Sequence, residues 1–272
     1  MDGVSAQDSY RLITSLTNET VKAVRALHIR KERKQTGRFL AEGLKFIGEA
    51  LDLGRAPSLL LVGQDARPHP LLDRARAETA KAGGEVVIVT HAILEKISRR
   101  ENPQTVLAVF DQEYLPLTSI HPESAPCWVA LEQVRDPGNL GTIIRTADAA
   151  GCGGVILIGD CVDPFSTEAV RATMGSIFAA SISKATVEEF LAWRDGWPGA
   201  VVGTRLDATV DHRAAALTRP ALILMGNEQA GLTDRLAAAC DVNVKIPMRG
   251  RADSLNLSVA TGIMIYAATE GL

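Results

Sequence analysis

Two periods of hydrophobicity take turns along this chain. The stretch TVKAVRALHIRKERKQ, residues 20–35, sets apolar residues at helical spacing against a basic face. RFLAE then reads as a short strand, and GLKFIGEALDLG as a helix closed by Gly54. SLLLVG follows as a strand, PLLDRARAETAKAGG as a helix stopped by Gly83 and Gly84, EVVIVT as a strand, HAILEKISRR as a helix and TVLAVFD as a strand. Together these predict a small α/β domain over residues 1–111. Residues 112–126, QEYLPLTSIHPESAP, hold three prolines and no period. They suit a linker or a long surface loop, and the full set of elements on each side favours a linker.

Alternation resumes over 127–272. CWVALEQV, GVILIG, GAVVGT, PALILMG and VNVKIP read as strands. LGTIIRTADAAG, STEAVRATMGSIF, VEEFLAW, TDRLAAAC and LNLSVATGIMIYAATE read as helices, and the pattern at Ala179–Lys184, where the second of these ends, is ambiguous. Such alternation predicts an α/β domain with a mainly parallel sheet covered on both faces.

Composition narrows the class. With 46% hydrophobic residues in 272, there is material for a large core, and the net charge of −3 does not by itself announce a nucleic-acid binder. Cys127, Cys152, Cys161 and Cys240 lack metal-ligand spacing and suit buried thiols of a reducing compartment, so no metal site is expected. The start MDGVSAQDSYRL has neither the basic opening nor the apolar stretch of a leader, and no apolar run is long enough for a membrane span. A soluble, cytoplasmic protein is expected.

The common catalytic and nucleotide signatures are missing. There is no GxxxxGK[ST], HExxH or GxSxG, and GCGGV lies between a helix and a strand, the reverse of a dinucleotide loop. His28, His69, His91, His121 and His212 are scattered without evident acid–base partners. Polar and glycine-rich residues gather instead at EQVRDPGNLGTIIRTADAAG, GNEQAGL and MRGRADSLN, each directly after a predicted strand. In a parallel sheet such loops share one edge, where ligands bind. Singly, each has an ordinary explanation. Asn139 suits a helix cap and Arg145 a solvated helix face. Glu228 suits a helix dipole, Ser254 a cap, and Asn256 the first turn of the last helix. Three such loops on one edge favour a site.

These residues carry a resemblance. DPGNLGTIIRTADAAG, LMGNEQAGL and IPMRGRADSLNLSVATGI are similar, in order, to the three motifs of the SpoU/TrmH family of RNA ribose 2′-O-methyltransferases, in the SPOUT superfamily. SLTNETVKAVRALHIRKERKQTGRFLAEGLKFIGEAL resembles the opening of the small, ribosomal-protein-like RNA-binding domain that many members carry. The resemblance implies a homodimer with a deep trefoil knot in its C-terminal domain. It also implies S-adenosyl-methionine as cofactor, held at Met225, Gly226, Asn227, Ile246, Met248, Leu255 and Asn256. The family's catalytic arginine falls on Arg145, with Asn139, Glu228, Ser254 and Asn256 completing the site.

A sulfonium donor is already activated, so the protein must supply alignment and removal of the hydroxyl proton. A guanidinium is a poor base, which leaves two roles for Arg145: proton acceptor, or holder of a phosphate that positions the ribose. Lys22, Arg25, Arg30, Lys31, Arg33, Lys34 and Arg38 stand against one acid, Glu32. Alone, that run suits a solvated helix face. Beside a methyltransferase it becomes a phosphate-contacting surface, which Arg249 and Arg251 extend. Ribosomal RNA is the favoured substrate. A transfer-RNA enzyme and a non-catalytic ribosome-assembly factor are the alternatives.

Overall fold

Where the sequence predicts one long basic helix, two short ones form. In the computed structural model, which describes residues 10–271, α1 spans Glu19–Ala26 and α2 spans Arg30–Thr36. Asn18 starts α1 by accepting a hydrogen bond from the Thr20 amide at 2.9 Å. The helix ends in a tight turn at Leu27–Ile29, and the Arg33 guanidinium donates to the Leu27 carbonyl at 2.7 Å. That bond satisfies an acceptor which the break would otherwise leave without a partner. Val21, Val24 and Leu27 turn inward against Ile93, Leu94 and Ile97 of α5 (His91–Ser98).

This first unit gathers the chain up to Gln112 together with Phe165–Arg171. Its sheet contains β1 (Arg11–Ile13), β2 (Arg38–Glu42), β3 (Leu59–Gly63), β4 (Glu85–Val89) and β5 (Val106–Asp111), in the order β1-β4-β3-β5-β2. β1, β4 and β3 run parallel, while β5 is antiparallel to both β3 and β2. Helices α3 (Leu44–Asp52) and α4 (Pro70–Lys81) complete the unit. Arg171 pairs with the buried carboxylate of Glu42 at 2.6 Å, and the Phe165 ring lies 4.9 Å from that of Phe39.

The second unit holds Glu113–Pro164 and Ala172–Leu272. Its strands are β6 (Cys127–Glu132), β7 (Gly154–Ile158), β8 (Ser181–Ala185), β9 (Val201–Thr204), β10 (Val210–Asp211), β11 (Ala221–Met225) and β12 (Val242–Lys245). They form a seven-stranded sheet ordered β10-β12-β9-β11-β6-β7-β8, and every neighbouring pair is parallel. The last strand thus lies inside the sheet, between two earlier ones. The unit's helices are α6 (Pro137–Ala149), α8 (Val187–Arg194), α9 (Asp234–Ala237) and α10 (Leu257–Thr269), while α7 (Thr167–Thr173) belongs to the first unit as far as Arg171. α7 stops well short of the span its apolar spacing predicts, because Met174 and Gly175 take left-handed backbone angles. Of the ambiguous Ala179–Lys184, the part from Ser181 onward is strand. From Glu113 the proline-rich stretch belongs to this unit, and Leu115, Leu117 and Ile120 pack on its core.

Among the described residues, no helix is long and apolar enough to cross a membrane. Residues 1–9, whose sequence lacks a leader pattern, lie outside the described residues.

Candidate active site

Because the sheet of the second unit is parallel, the segments after β6, β9, β11 and β12 leave from one edge. The loop after β11 is the most constrained of them. Asn227 and Gly231 exchange backbone hydrogen bonds at 3.0 and 2.9 Å, which closes a tight turn. Gly226 lies beneath it, and a β-carbon there would stand 1.9 Å from the Gly231 carbonyl carbon and the Leu232 nitrogen. Only glycine permits that approach. The Asn227 side chain staples the loop: Oδ1 accepts from the amides of Gln229 and Ala230, and Nδ2 donates to the Gln133 carbonyl at 2.8 Å.

Glu228 reaches the start of α6. Its carboxylate accepts from the amides of Asp136 at 3.0 Å and Arg135 at 3.1 Å, and from Asn139 Nδ2 at 3.4 Å. The sequence suggests that Glu228 serves a helix following it, but the structure gives it the N-terminus of α6 instead. Burial pushes its pKa up, yet the amides of Asp136 and Arg135 and the Asn139 side chain outweigh this. The group titrates below the usual glutamate range.

Two helix caps differ from expectation. Asp136, not Asn139, caps α6, accepting from the Asn139 amide at 2.7 Å. Asn256, not Ser254, caps α10, its Oδ1 accepting from the amides of Ser258 at 2.9 Å and Val259 at 3.4 Å. Asp is as good a cap as Asn, and this leaves the Asn139 side chain free for other work. Asn139 Oδ1 accepts from Asn256 Nδ2 at 2.8 Å. A hydrogen-bonded chain Glu228–Asn139–Asn256 therefore links the three motif loops. Ser254 donates instead to Asp253 at 3.1 Å.

Beside the Gly226–Gly231 loop is a cavity of about 140 Å³ that opens to solvent. Met225, Gly226, Asn227, Glu228, Ile246, Met248, Ser254 and Leu255 line it, as the motifs imply. Thr204, Arg205, Leu206, Gln229, Gly231, Leu257 and Ala260 line it too, and sequence reasoning missed them. The available signal was that the GAVVGT strand ends on the same edge, so its loop joins the site. Asn256 is not part of this wall, and neither is Arg145. Arg145 stands exposed on α6, with no hydrogen bond or ion pair among the described residues. The wall combines apolar side chains with a backbone cradle that a β-carbon at Gly226 would fill. That suits the flat base and the aliphatic, sulfonium-bearing chain of S-adenosyl-methionine.

The basic run of the first unit separates into two kinds of residue. Arg33 is 3% exposed and committed to the Leu27 carbonyl, so it leaves the phosphate-contacting set. Arg30, Lys31 and Lys34 are exposed. Lys22 pairs with Glu19 at 2.8 Å and Arg38 with Asp111 at 3.2 Å, exposed pairs of little energetic weight. Lys22 and Arg25 also line a groove with His28, Ile29, Glu95, Lys96 and Arg99. Lys96 and Arg99 lie on and just beyond α5, far in sequence from the basic run. Arg99 takes a left-handed conformation with φ 58° as it closes α5. Burial lowers the His28 pKa, against a 2.6 Å contact with the Ile97 carbonyl. Arg249 and Arg251 are exposed.

The chain is similar to known proteins in sequence and fold. Residues 126–266 match the SpoU rRNA Methylase family, and residues 18–108 match the MRM3-like substrate binding domain. The AdoMet-bound rRNA methyltransferase of Sinorhizobium meliloti is 48% identical, with a TM-score of 0.91 over 97% of this chain and 98% of that one. The SpoU methyltransferase AviRb of Streptomyces viridochromogenes is 30% identical, with a TM-score of 0.82 over 93% and 96% of the two chains. The Bacillus subtilis 23S rRNA (guanosine(2553)-2'-O)-methyltransferase RlmP is 30% identical, over 93% of this chain and 97% of its own.

Proposed function

The chain belongs to the SpoU rRNA methylase family, and from this we propose the part each residue plays in its reaction. It is an S-adenosyl-methionine-dependent RNA methyltransferase acting on a ribose 2′-hydroxyl, with 23S-type ribosomal RNA as substrate. The observation that carries the assignment of residues is the Glu228–Asn139–Asn256 chain, which ties the first motif to a cavity lined by the second and third. When bound, S-adenosyl-methionine supplies an electrophilic methyl group on a sulfonium. Met225, Ile246, Met248 and Leu255 hold its apolar parts, and Gly226 and Asn227 shape the loop against it. Glu228, Asn139 and Asn256 fix the loops relative to α6, and Ser254 offers a hydroxyl at the cavity wall. Arg145 is exposed and has no partner among the described residues, with five donors available. We assign it to an RNA phosphate, so that it positions the ribose.

We further propose a homodimer. On α10, Val259 and Tyr266 are 52% and 58% exposed, and the partly covered Gly262 and Ile263 lie between them at helical spacing. An uncovered apolar stripe on this helix suits a second copy of the chain. The position of β12 between β9 and β10 supports a trefoil knot formed by the segment from Gly226 to Asn256. In the first unit, the groove with Lys22, Arg25, Lys96 and Arg99, together with the exposed Arg30, Lys31, Lys34 and Arg38, contacts RNA phosphates. The place of action is the compartment that holds ribosomal RNA, the cytoplasm.

The test is methyl transfer from labelled S-adenosyl-methionine to purified 23S and transfer RNA, followed by mapping of ribose methylation. One 2′-O-methylated nucleotide in 23S RNA is expected, lost in Asn139→Ala. Methylation of transfer RNA alone, or of a base rather than a ribose, overturns the reading.

A further inference from the structure

We propose that Glu132 is a positioning residue for the reaction: through Thr233 it sets the cofactor loop in register with the start of α6. Glu132 is the last residue of β6 and is 3% exposed. A carboxylate so deeply placed is costly unless its oxygens are satisfied. Both are satisfied by one residue. Oε2 accepts from the Thr233 backbone amide and Oε1 from the Thr233 hydroxyl, each at 2.8 Å. Thr233 is the cap of α9 and ends the turn that begins at Gly226.

The loop is thereby tied at two points to two consecutive residues. Its beginning is held by the bond from Asn227 Nδ2 to the Gln133 carbonyl, and its end by Glu132. Gln133 itself takes a left-handed backbone angle, φ 49°, which turns the chain from β6 toward Arg135 and Asp136. The amides of those two residues are the ones Glu228 grips. Glu132 touches neither the cavity nor any proposed reacting group, so it acts only through the loop. The loop's own residues, Gly226 to Gly231, form one wall of the cavity. A loop released at Thr233 keeps its fold but no longer holds that wall in place.

This inference rests on reading the cavity as the S-adenosyl-methionine site. Calorimetric titration with S-adenosyl-methionine tests both, using the full chain, Glu132→Ala, Glu132→Gln, Thr233→Val and the Glu132→Ala/Thr233→Val double variant. Glu132→Ala leaves two donors without a partner, and cofactor binding is expected to weaken roughly tenfold or more. Glutamine can accept from the Thr233 amide and donate to its hydroxyl, so Glu132→Gln is expected to restore binding to within about threefold of wild type. In the double variant, Thr233→Val is expected to add almost nothing to Glu132→Ala. Unchanged affinity in Glu132→Ala, no rescue by glutamine, or full additivity each overturns the proposal. Where Glu132→Ala does not fold, Thr233→Val decides. It also removes the α9 cap and is expected to unfold a few degrees lower. A several-fold loss of affinity measured well below its unfolding temperature supports the clamp, and wild-type affinity overturns it. Failure of the wild-type chain to bind S-adenosyl-methionine removes the site reading itself, and this inference with it.

Discussion

Truncating Asn256 to alanine removes two things at once, and the structure says how much each is worth. The first is the cap of α10, where Oδ1 accepts from the Ser258 and Val259 amides. Losing a helix cap costs about 1 kcal/mol. The second is the bond from Nδ2 to Asn139 Oδ1 at 2.8 Å. Both partners are at least partly exposed, so water takes its place at a cost of about 1 kcal/mol. The sum of about 2 kcal/mol corresponds to a fall of roughly 4–8 °C in unfolding temperature for a domain of about 150 residues. Asn256→Asp separates the two contributions. It keeps the acceptor for the α10 amides, and its charge favours the helix N-terminus, but it loses the donor to Asn139. Its unfolding temperature is expected within about 3 °C of wild type, while methyl transfer stays low, as in the alanine variant. Thermal unfolding by circular dichroism, paired with a methyl-transfer assay, reads both quantities. An alanine variant that unfolds at the wild-type temperature refutes the cap. An aspartate variant with full activity refutes the role of the Asn139 bridge.

Four further outcomes are expected. The Glu228 carboxyl titrates below its ordinary value, so its stabilisation is complete above a pH of about 4.3 and is lost as pH falls through the lower native value. Denaturant unfolding of wild type and Glu228→Gln between neutral and acid pH checks this, since the gap between the curves must close on acidification. Lys96→Glu with Arg99→Glu should weaken RNA binding and flatten its salt dependence by about two phosphate contacts, with the unfolding temperature unchanged. Arg33→Ala should do the reverse, lowering stability by roughly 1–3 kcal/mol while leaving the salt slope intact. Tyr266→Glu should shift the protein from dimer to monomer in analytical ultracentrifugation, and a variant that remains dimeric removes α10 from the interface.

Much of this molecule was written in local pattern. Alternating apolar runs determined the strands and helices of an α/β chain, because burial of one face imposes a period wherever it occurs. Three polar loops, each following a strand, point to one edge of the sheet, since parallel strands deliver their loops there. What the pattern did not decide is which partner each polar atom finds. Asn139 reads as a cap, but Asp136 three residues earlier takes that bond, and only the fold then brings Asn139 to Asn256. Arg33 reads like its basic neighbours, yet a break in the helix turns it inward to a carbonyl. Lys96 and Arg99 join Lys22 and Arg25 only because α5 packs on α1. Glu132 reads as the polar end of a strand and becomes a buried clamp through a residue 101 positions away. Sequence sets the backbone's local preferences through the residue's own conformational energy. The pairing of a buried donor with a distant acceptor depends on which elements the core brings together, and only the tertiary structure decides that.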